Sequence, residues 1–218
     1  MEANGNLNSL WEQRVKDGGA DFVRFVDITG FPREIVGGYT CALLFGKALS
    51  KGYIAALRDE REPERKEVLN VERKMDALAV KIAAELTQAG YESVGKLKTG
   101  LLPHKTIALR AGLGFIGKNN LLVTPEYGCA QMLGKVLTKA PFEAACQTPK
   151  DPQCGDCHIC ADVCPTCALL GTTWNVGKTR DEIITRKKCV LCVKCMAFCP
   201  YTGRYAGDLG ADGVLDRP

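Results

Sequence analysis

The sequence predicts an α+β domain over residues 1–145, followed by a small cysteine-rich module over residues 146–218. Three observations carry that expectation. With 218 residues there is room for one sizeable core and an appendage, but not for two full cores. Helical and strand patterns follow one another irregularly in the first two thirds, without the steady β-α-β rhythm of a doubly wound sheet. The last third carries eight cysteines in two runs of the same spacing.

Leu7 to Lys16 places Leu10, Trp11 and Val15 on one side and reads as a helix, with Asn6 or Asn8 as its cap and Asp17-Gly18-Gly19 as its stop. Asp21 to Ile28 alternates and reads as a strand that Gly30-Phe31-Pro32 ends. Tyr39 to Leu49, bounded by Gly37-Gly38, reads as a buried strand in which Cys41 packs as a small hydrophobe. Between Glu64 and Ala89, residues Val68, Val71, Met75, Leu78, Ile82 and Leu86 recur at helical steps, with charges opposite and Gly90 behind. A stripe of that kind is core packing and carries no chemistry.

Tyr91 to Lys98 is the next strand, before Thr99-Gly100. A second helix runs from about Pro103 to Ala111, with Pro103 in its first turn and Gly112 at its end. Asn120 to Thr124 and Cys129 to Thr138 read as two strands around the turn Pro125-Glu126-Tyr127-Gly128. Thr179 to Glu182 fits a capping box and sets a short helix between the two cysteine runs.

Those runs have few physical readings. Cys154, Cys157, Cys160 and Cys164 are followed by Pro165, and Cys189, Cys192, Cys195 and Cys199 by Pro200. This is the spacing that holds [4Fe-4S] clusters in two-cluster bacterial ferredoxins, where the fourth cysteine of each run serves the other cluster. The expected sharing is Cys154, Cys157, Cys160 and Cys199 on cluster one, and Cys189, Cys192, Cys195 and Cys164 on cluster two. A zinc site takes four ligands for one ion and does not need eight cysteines with a proline after each fourth. A disulfide framework needs an oxidising compartment, and nothing at the N-terminus reads as a signal peptide. Cys167, outside both sets, is expected to pack around the module, and His158 to tune or shield cluster one.

Gly112-Leu113-Gly114-Phe115-Ile116-Gly117-Lys118-Asn119 matches GxGxxG and nearly matches the phosphate loop. A dinucleotide fingerprint leaves a strand and opens a helix, whereas these glycines end a helix and lead toward a strand. Asn119 stands where the phosphate loop needs Ser or Thr. Two readings stay open: a tight turn against the core, or a pocket in which the loop amides, Arg110 and Lys118 meet a flat or phosphate-bearing cofactor.

The stretch KTIALRAGLGFIGKNNLLVTPEYG from Lys105 to Gly128, followed by a hydrophobic strand and the doubled cysteine run, resembles the epoxyqueuosine reductase family. The similarity covers roughly residues 20 to 202. It implies a nitroreductase-like sheet-and-helix domain ahead of a bacterial-ferredoxin-like module, with electrons passing through two clusters to cobalamin. A flavin such as FMN is the other cofactor the nitroreductase-like fold suggests, and that fold also brings the expectation of a homodimer. Counting back without gaps from Ala111-Gly112 puts Lys98 where the family has a proton-donating Asp, and no acidic residue lies between Val94 and Gly117. The family's longer members also continue past the cluster block with helical repeats. A substrate other than epoxyqueuosine is therefore expected.

The leading expectation is an iron-sulfur oxidoreductase that takes single low-potential electrons from a donor such as ferredoxin or flavodoxin. It passes them to a cofactor or small-molecule substrate held by Arg110, Gly112, Gly114, Gly117, Lys118 and Asn119. His104, the one imidazole outside the cluster block, is the candidate proton donor. The alternative is an electron carrier or adaptor with no active site of its own. From residue 151 on, eight basic residues balance eight acidic ones, so the net charge of +4 resides in the first 150. That surplus is too small to call for nucleic acid. No apolar run is long enough to cross a bilayer, and a cytoplasmic protein is expected.

Overall fold

The computed structural model describes residues 2–61, 65–95 and 102–207, with side chains from Leu7 onward. In chain order the elements are α1 (Glu2–Asp17), β1 (Phe22–Asp27), α2 (Arg33–Val36), β2 (Cys41–Ala48), α3 (Lys51–Arg58), α4 (Lys66–Gln88), β3 (Ser93–Val94) and α5 (His104–Arg110). They continue as β4 (Phe115–Ile116), β5 (Leu122–Val123), β6 (Gln131–Thr138), α6 (Ile159–Asp162), α7 (Lys194–Ala197) and α8 (Pro200–Ala206), with 3-10 turns at Arg180–Glu182 and Arg186–Lys188. The mix is α+β, as expected. Two compact units form. One takes residues up to Lys47, Leu69–Gly112 and Met132–Pro149; the other takes Ala48–Val68, Leu113–Gln131 and the described residues from Lys150 on. The chain from Lys150 on thus supplies part of the second unit, which also draws in the glycine loop from Leu113, while Cys146 to Pro149 stay with the first.

The first unit is built on a four-stranded sheet of order β1-β2-β6-β3, with β1 antiparallel to β2 and β3 antiparallel to β6. Strand β2 is its apolar centre: Cys41 to Phe45 are all buried, and the Cys41 thiol is pushed up to about 12 by burial. On α4 the stripe Val71, Met75, Leu78, Ile82 and Leu86 is buried, each side chain contributing about 1.5–3 kcal/mol. Trp11 and Val15 of α1 and Val23 and Val26 of β1 join that core.

Several elements differ from the sequence expectation. Helix α1 begins by Glu2, so Asn6 and Asn8 lie within it and not at its start. Asn8 instead exchanges two hydrogen bonds with the Glu143 backbone, at 2.9 and 3.0 Å. Helix α2 follows Pro32 directly, and α3 follows β2 over residues for which the sequence expectation named no element. Within the described part of the expected Tyr91 to Lys98, strand β3 covers Ser93–Val94. Glu64, Lys98 and Thr99-Gly100 lie outside the described residues. The two strands expected around Pro125 to Gly128 do not pair with each other: β5 pairs with β4, and β6 with β3.

In the second unit α3 is capped by the Ser50 hydroxyl, which accepts from the Tyr53 amide and is itself held by Glu67. Its Arg58 Nε donates to the Ala197 carbonyl at 2.8 Å, and the Tyr205 hydroxyl donates to the Leu49 carbonyl at 2.7 Å, which ties α3 to α7 and α8. The capping box at Thr179 forms, with the Glu182 carboxylate accepting from the Thr179 amide and hydroxyl. Antiparallel pairing of Leu169 with Ile184 brings the tail of the first cysteine run beside the approach to the second. Among the described residues no helix is long and apolar enough to cross a membrane.

Candidate metal centre

The two cysteine runs fold alike, each as a tight loop leading into a one-turn helix. Cys160 rides on α6 and Cys195 on α7, each third in its run, and the fourth cysteine lies past the helix end. In the second run the loop takes Leu191 and Val193 into left-handed backbone, at φ 56° and 58°. For a β-branched residue such as Val193 that conformation is costly, and it stands here inside the second cysteine run. Cys199 then opens α8, with Pro200 suited to its first turn.

Burial pushes the Cys160 thiol up to about 12, and the sulfurs of Cys199, Cys154 and Cys157 push it the same way. Cys195 is raised to about 12 by burial and by Cys160, Cys192, Cys189 and Cys164. Each interior cysteine therefore stands among two neighbours from its own run and the fourth cysteine of the other run. Cys160 and Cys195 are where the two groups approach each other. Sulfurs that disfavour one another's ionisation form a donor set that a cationic centre relieves, because the bound form is the thiolate. A cavity of about 210 Å³ opens among Cys154, Cys157, Cys160 and Cys199, with Lys118 and Tyr201 on its wall. Its lining of four thiols fits an iron-sulfur cluster. Among the described residues no three His, Cys, Asp or Glu side chains close on a single-ion site.

The glycine loop is divided between the two units. Arg110 and Gly112 belong to the first. Arg110 is held in place there, its Nε donating to the Asp27 carbonyl at 2.7 Å and its guanidinium lying 4.7 Å from the centre of the Phe31 ring. Gly112 takes φ 65°, and a side chain there would strike Gln147. Gly114, Gly117, Lys118 and Asn119 belong to the second unit. A Cβ on Gly114 would lie 1.9 Å from the Val123 carbonyl oxygen, so the close approach of β4 to β5 excludes any other residue. Gly117 turns tightly over the Asn119 side chain.

Lys118 is buried, and its ammonium donates to the carbonyls of Gly155 at 2.7 Å and Cys157 at 3.1 Å. Asn119 Nδ2 donates to the Cys195 carbonyl at 3.1 Å and to Cys129 Sγ at 3.2 Å, while its Oδ1 accepts from the Leu121 amide. The two polar residues of the loop are therefore clamps on the cysteine runs, one on each.

Sequence reasoning left Cys129 without a role. Its thiol donates to Cys199, which holds Cys199 down at about 7 and raises Cys129 well above the ordinary thiol value. The Cys129 amide donates to Thr202 Oγ1 at 3.0 Å. Gly128 presses on the Thr202 backbone, 2.3 Å from where its own Cβ would be, so only glycine fits beside this bond. No spacing rule links residues 73 positions apart. Cys167 is exposed, contrary to the expected packing role, because the turn after Cys164 carries it outward at φ 47°. His158 is exposed as well.

His104 sits in the first unit at the start of α5. Burial, together with the Lys135 charge, lowers its pKa to about 4, so it is neutral near pH 7 and carries no imidazolium proton to donate. Lys135 is buried too, and its ammonium donates to the Leu102 carbonyl.

No protein-family model matches the chain. Its sequence is 34% identical over 139 residues to an epoxyqueuosine reductase of Staphylococcus aureus, covering 62% of this chain and 31% of that enzyme. The chain thus spans about a third of that relative's length. Among solved structures, an epoxyqueuosine reductase with an epoxyqueuosine-modified tRNA-Tyr stem loop superposes with a TM-score of 0.56 at 21% identity, over 97% of this chain and 69% of that one. A reductive dehalogenase whose structure suggests a mechanism for B12-dependent dehalogenation superposes at 0.55 and 21% identity, over 69% of this chain and 23% of that one. The chain is similar in sequence to epoxyqueuosine reductases over part of their length, and it shares the fold of their solved structures.

Proposed function

We propose that the chain is an iron-sulfur oxidoreductase, holding two [4Fe-4S] clusters in the second unit and a cofactor or small-molecule substrate elsewhere in the N-terminal part. The observation that carries this reading is the crossed grouping of sulfurs around Cys160 and Cys195. Cys154, Cys157, Cys160 and Cys199 would hold cluster one, and Cys189, Cys192, Cys195 and Cys164 cluster two. Clusters bound there supply one-electron transfer at low potential. Lys118 fixes the first loop through the Gly155 and Cys157 carbonyls, and Asn119 fixes the second through Cys195. The thiol of Cys129, the amides of Tyr201 and Thr202 and the Thr202 hydroxyl all direct hydrogens at Cys199, which favours its thiolate.

In this reading the first unit is the nitroreductase-like domain and the double run the ferredoxin-like module. Cobalamin is the cofactor the resemblance favours, in line with the B12-dependent dehalogenase among the structural neighbours. The tRNA stem loop bound by another neighbour weighs against leaving nucleic acid aside, as the charge balance alone suggested. The acid-free stretch between Val94 and Gly117 favours a substrate other than epoxyqueuosine. A cytoplasmic setting, which keeps thiols reduced, belongs to the same reading.

Single cysteine-to-serine variants test the sharing. Cys199→Ser should lose the same paramagnetic signal as Cys154→Ser, and a different one from Cys195→Ser. If Cys199→Ser strips the cluster that Cys195→Ser strips, the crossed assignment is wrong. Cobalamin titration of the loaded protein separates reductase from carrier: stoichiometric binding supports the reductase, and none supports the carrier.

A further inference from the structure

The two cysteine runs differ in the charge that surrounds them. From Cys154 to Cys164 the charged residues are Asp156 and Asp162, both exposed, with no Lys or Arg. From Ile183 to Phe198 they are Arg186, Lys187, Lys188 and Lys194, with no Asp or Glu. Three of these form the 3-10 turn Arg186–Lys188, which has no buried residue and ends on Cys189. Just beyond, Val190 and Leu191 are 62% and 50% exposed, although they sit between two cysteines of the run. Leu191 itself lies in left-handed backbone, at φ 56°. Lys194 is paired with Glu60, and Arg186 with Asp181 at 3.0 Å, which leaves Lys187 and Lys188 as the outer charges of the turn.

We propose that the Arg186–Lys188 turn with Val190 and Leu191 is the docking surface for a small acidic electron-carrier protein. The inference rests on the iron-sulfur reading above. A short apolar patch beside a single-sign charge cluster is how transient redox partners meet: charge steers the approach, and the apolar contact seats it over the buried group. Cys189 and Cys192, which flank the apolar pair, belong to the cluster-two set, so a carrier seated here lies over that set. The aspartates of the first run repel the same carrier, which gives electron entry a direction. The transfer moves one electron and no proton: the carrier is oxidised by one electron as cluster two is reduced by one. An electron taken up there would leave by the cluster-one set, where Lys118 and Tyr201 line the cavity among the four cysteines.

The test uses the whole, cluster-loaded chain with an acidic flavodoxin as the probe. Binding of oxidised flavodoxin is followed by calorimetry, and reduction by fully reduced flavodoxin by stopped-flow absorbance. Photoreduced deazaflavin, a donor without a protein surface, is the control. In Lys187→Glu/Lys188→Glu, flavodoxin affinity and its bimolecular reduction rate should each fall about tenfold or more at low ionic strength. The wild-type rate should drop with added salt, and deazaflavin should reduce both proteins alike. Unchanged flavodoxin binding and reduction in the variant overturns the proposal. So does a variant that loses only affinity for a tRNA stem loop, which would make the turn a nucleic-acid surface. A wild-type chain that carries no cluster overturns the iron-sulfur reading itself, and the docking surface with it.

Discussion

Lys118 offers the sharpest test of how the glycine loop serves the cysteine module. Its ammonium is buried and makes two hydrogen bonds to backbone carbonyls on the first cysteine loop. A hydrogen bond with one charged partner contributes about 1.5–3 kcal/mol net, so the pair is worth at most about 3–6 kcal/mol. Gly155 is exposed and Cys157 half-buried, so water takes up part of what is lost, and removing the ammonium also relieves the cost of burying it. Lys118→Met keeps the stem and drops the charge, and it should loosen the first loop by about 2–3 kcal/mol. That is about a 30- to 150-fold rise in the population of the opened loop. The assay is iron release to a chelator from the loaded protein under anaerobic conditions. The variant should release about half its iron faster by that factor, with the other half at the wild-type rate. Wild-type release in both phases would refute the clamp and return Lys118 to the role of a cofactor ligand.

Two further outcomes follow from the geometry. Cys129→Ala removes a hydrogen-bond donor to Cys199; donors to cluster sulfurs stabilise the more negative reduced state, so the potential of cluster one should fall while that of cluster two stays. A redox titration followed by electron paramagnetic resonance reads both. His104, held at about 4 in the folded chain against an ordinary 6.5, leaves the unfolded chain binding more protons between those values. Stability is therefore full above about pH 6.5 and declines as pH falls toward 4, and His104→Gln should flatten that decline in thermal unfolding while leaving turnover near neutral pH unchanged.

What could be read in the sequence was whatever rests on local periodicity or covalent spacing. The α4 stripe, the buried β2 run and the cysteine runs each repeat a short rule within a few residues. Elements settled by distant partners were harder to read. Asn8 looks like a cap and instead bonds the backbone at Glu143, far along the chain. Helix α3 did leave a signal, Ser50 followed by Tyr53, Ile54 and Leu57 at helical spacing, but the apolar strand before it masked the change of period. The glycine loop was legible as a constraint and not as a role. Three glycines in six residues promise a close approach, and only the fold reveals that Gly114 meets the Val123 carbonyl and that Lys118 faces the cysteine loop. Cys129 carried no signal at all, because its partner Cys199 is reached only through the packing of α8.

The central claim is that eight cysteines form two crossed sets, each holding a cluster. Iron and acid-labile sulfide counted per chain after anaerobic purification test it most directly. The account predicts about eight of each, falling to about four in Cys160→Ser. A chain that carries zinc with no labile sulfide, or that keeps only about four irons as wild type, would contradict it.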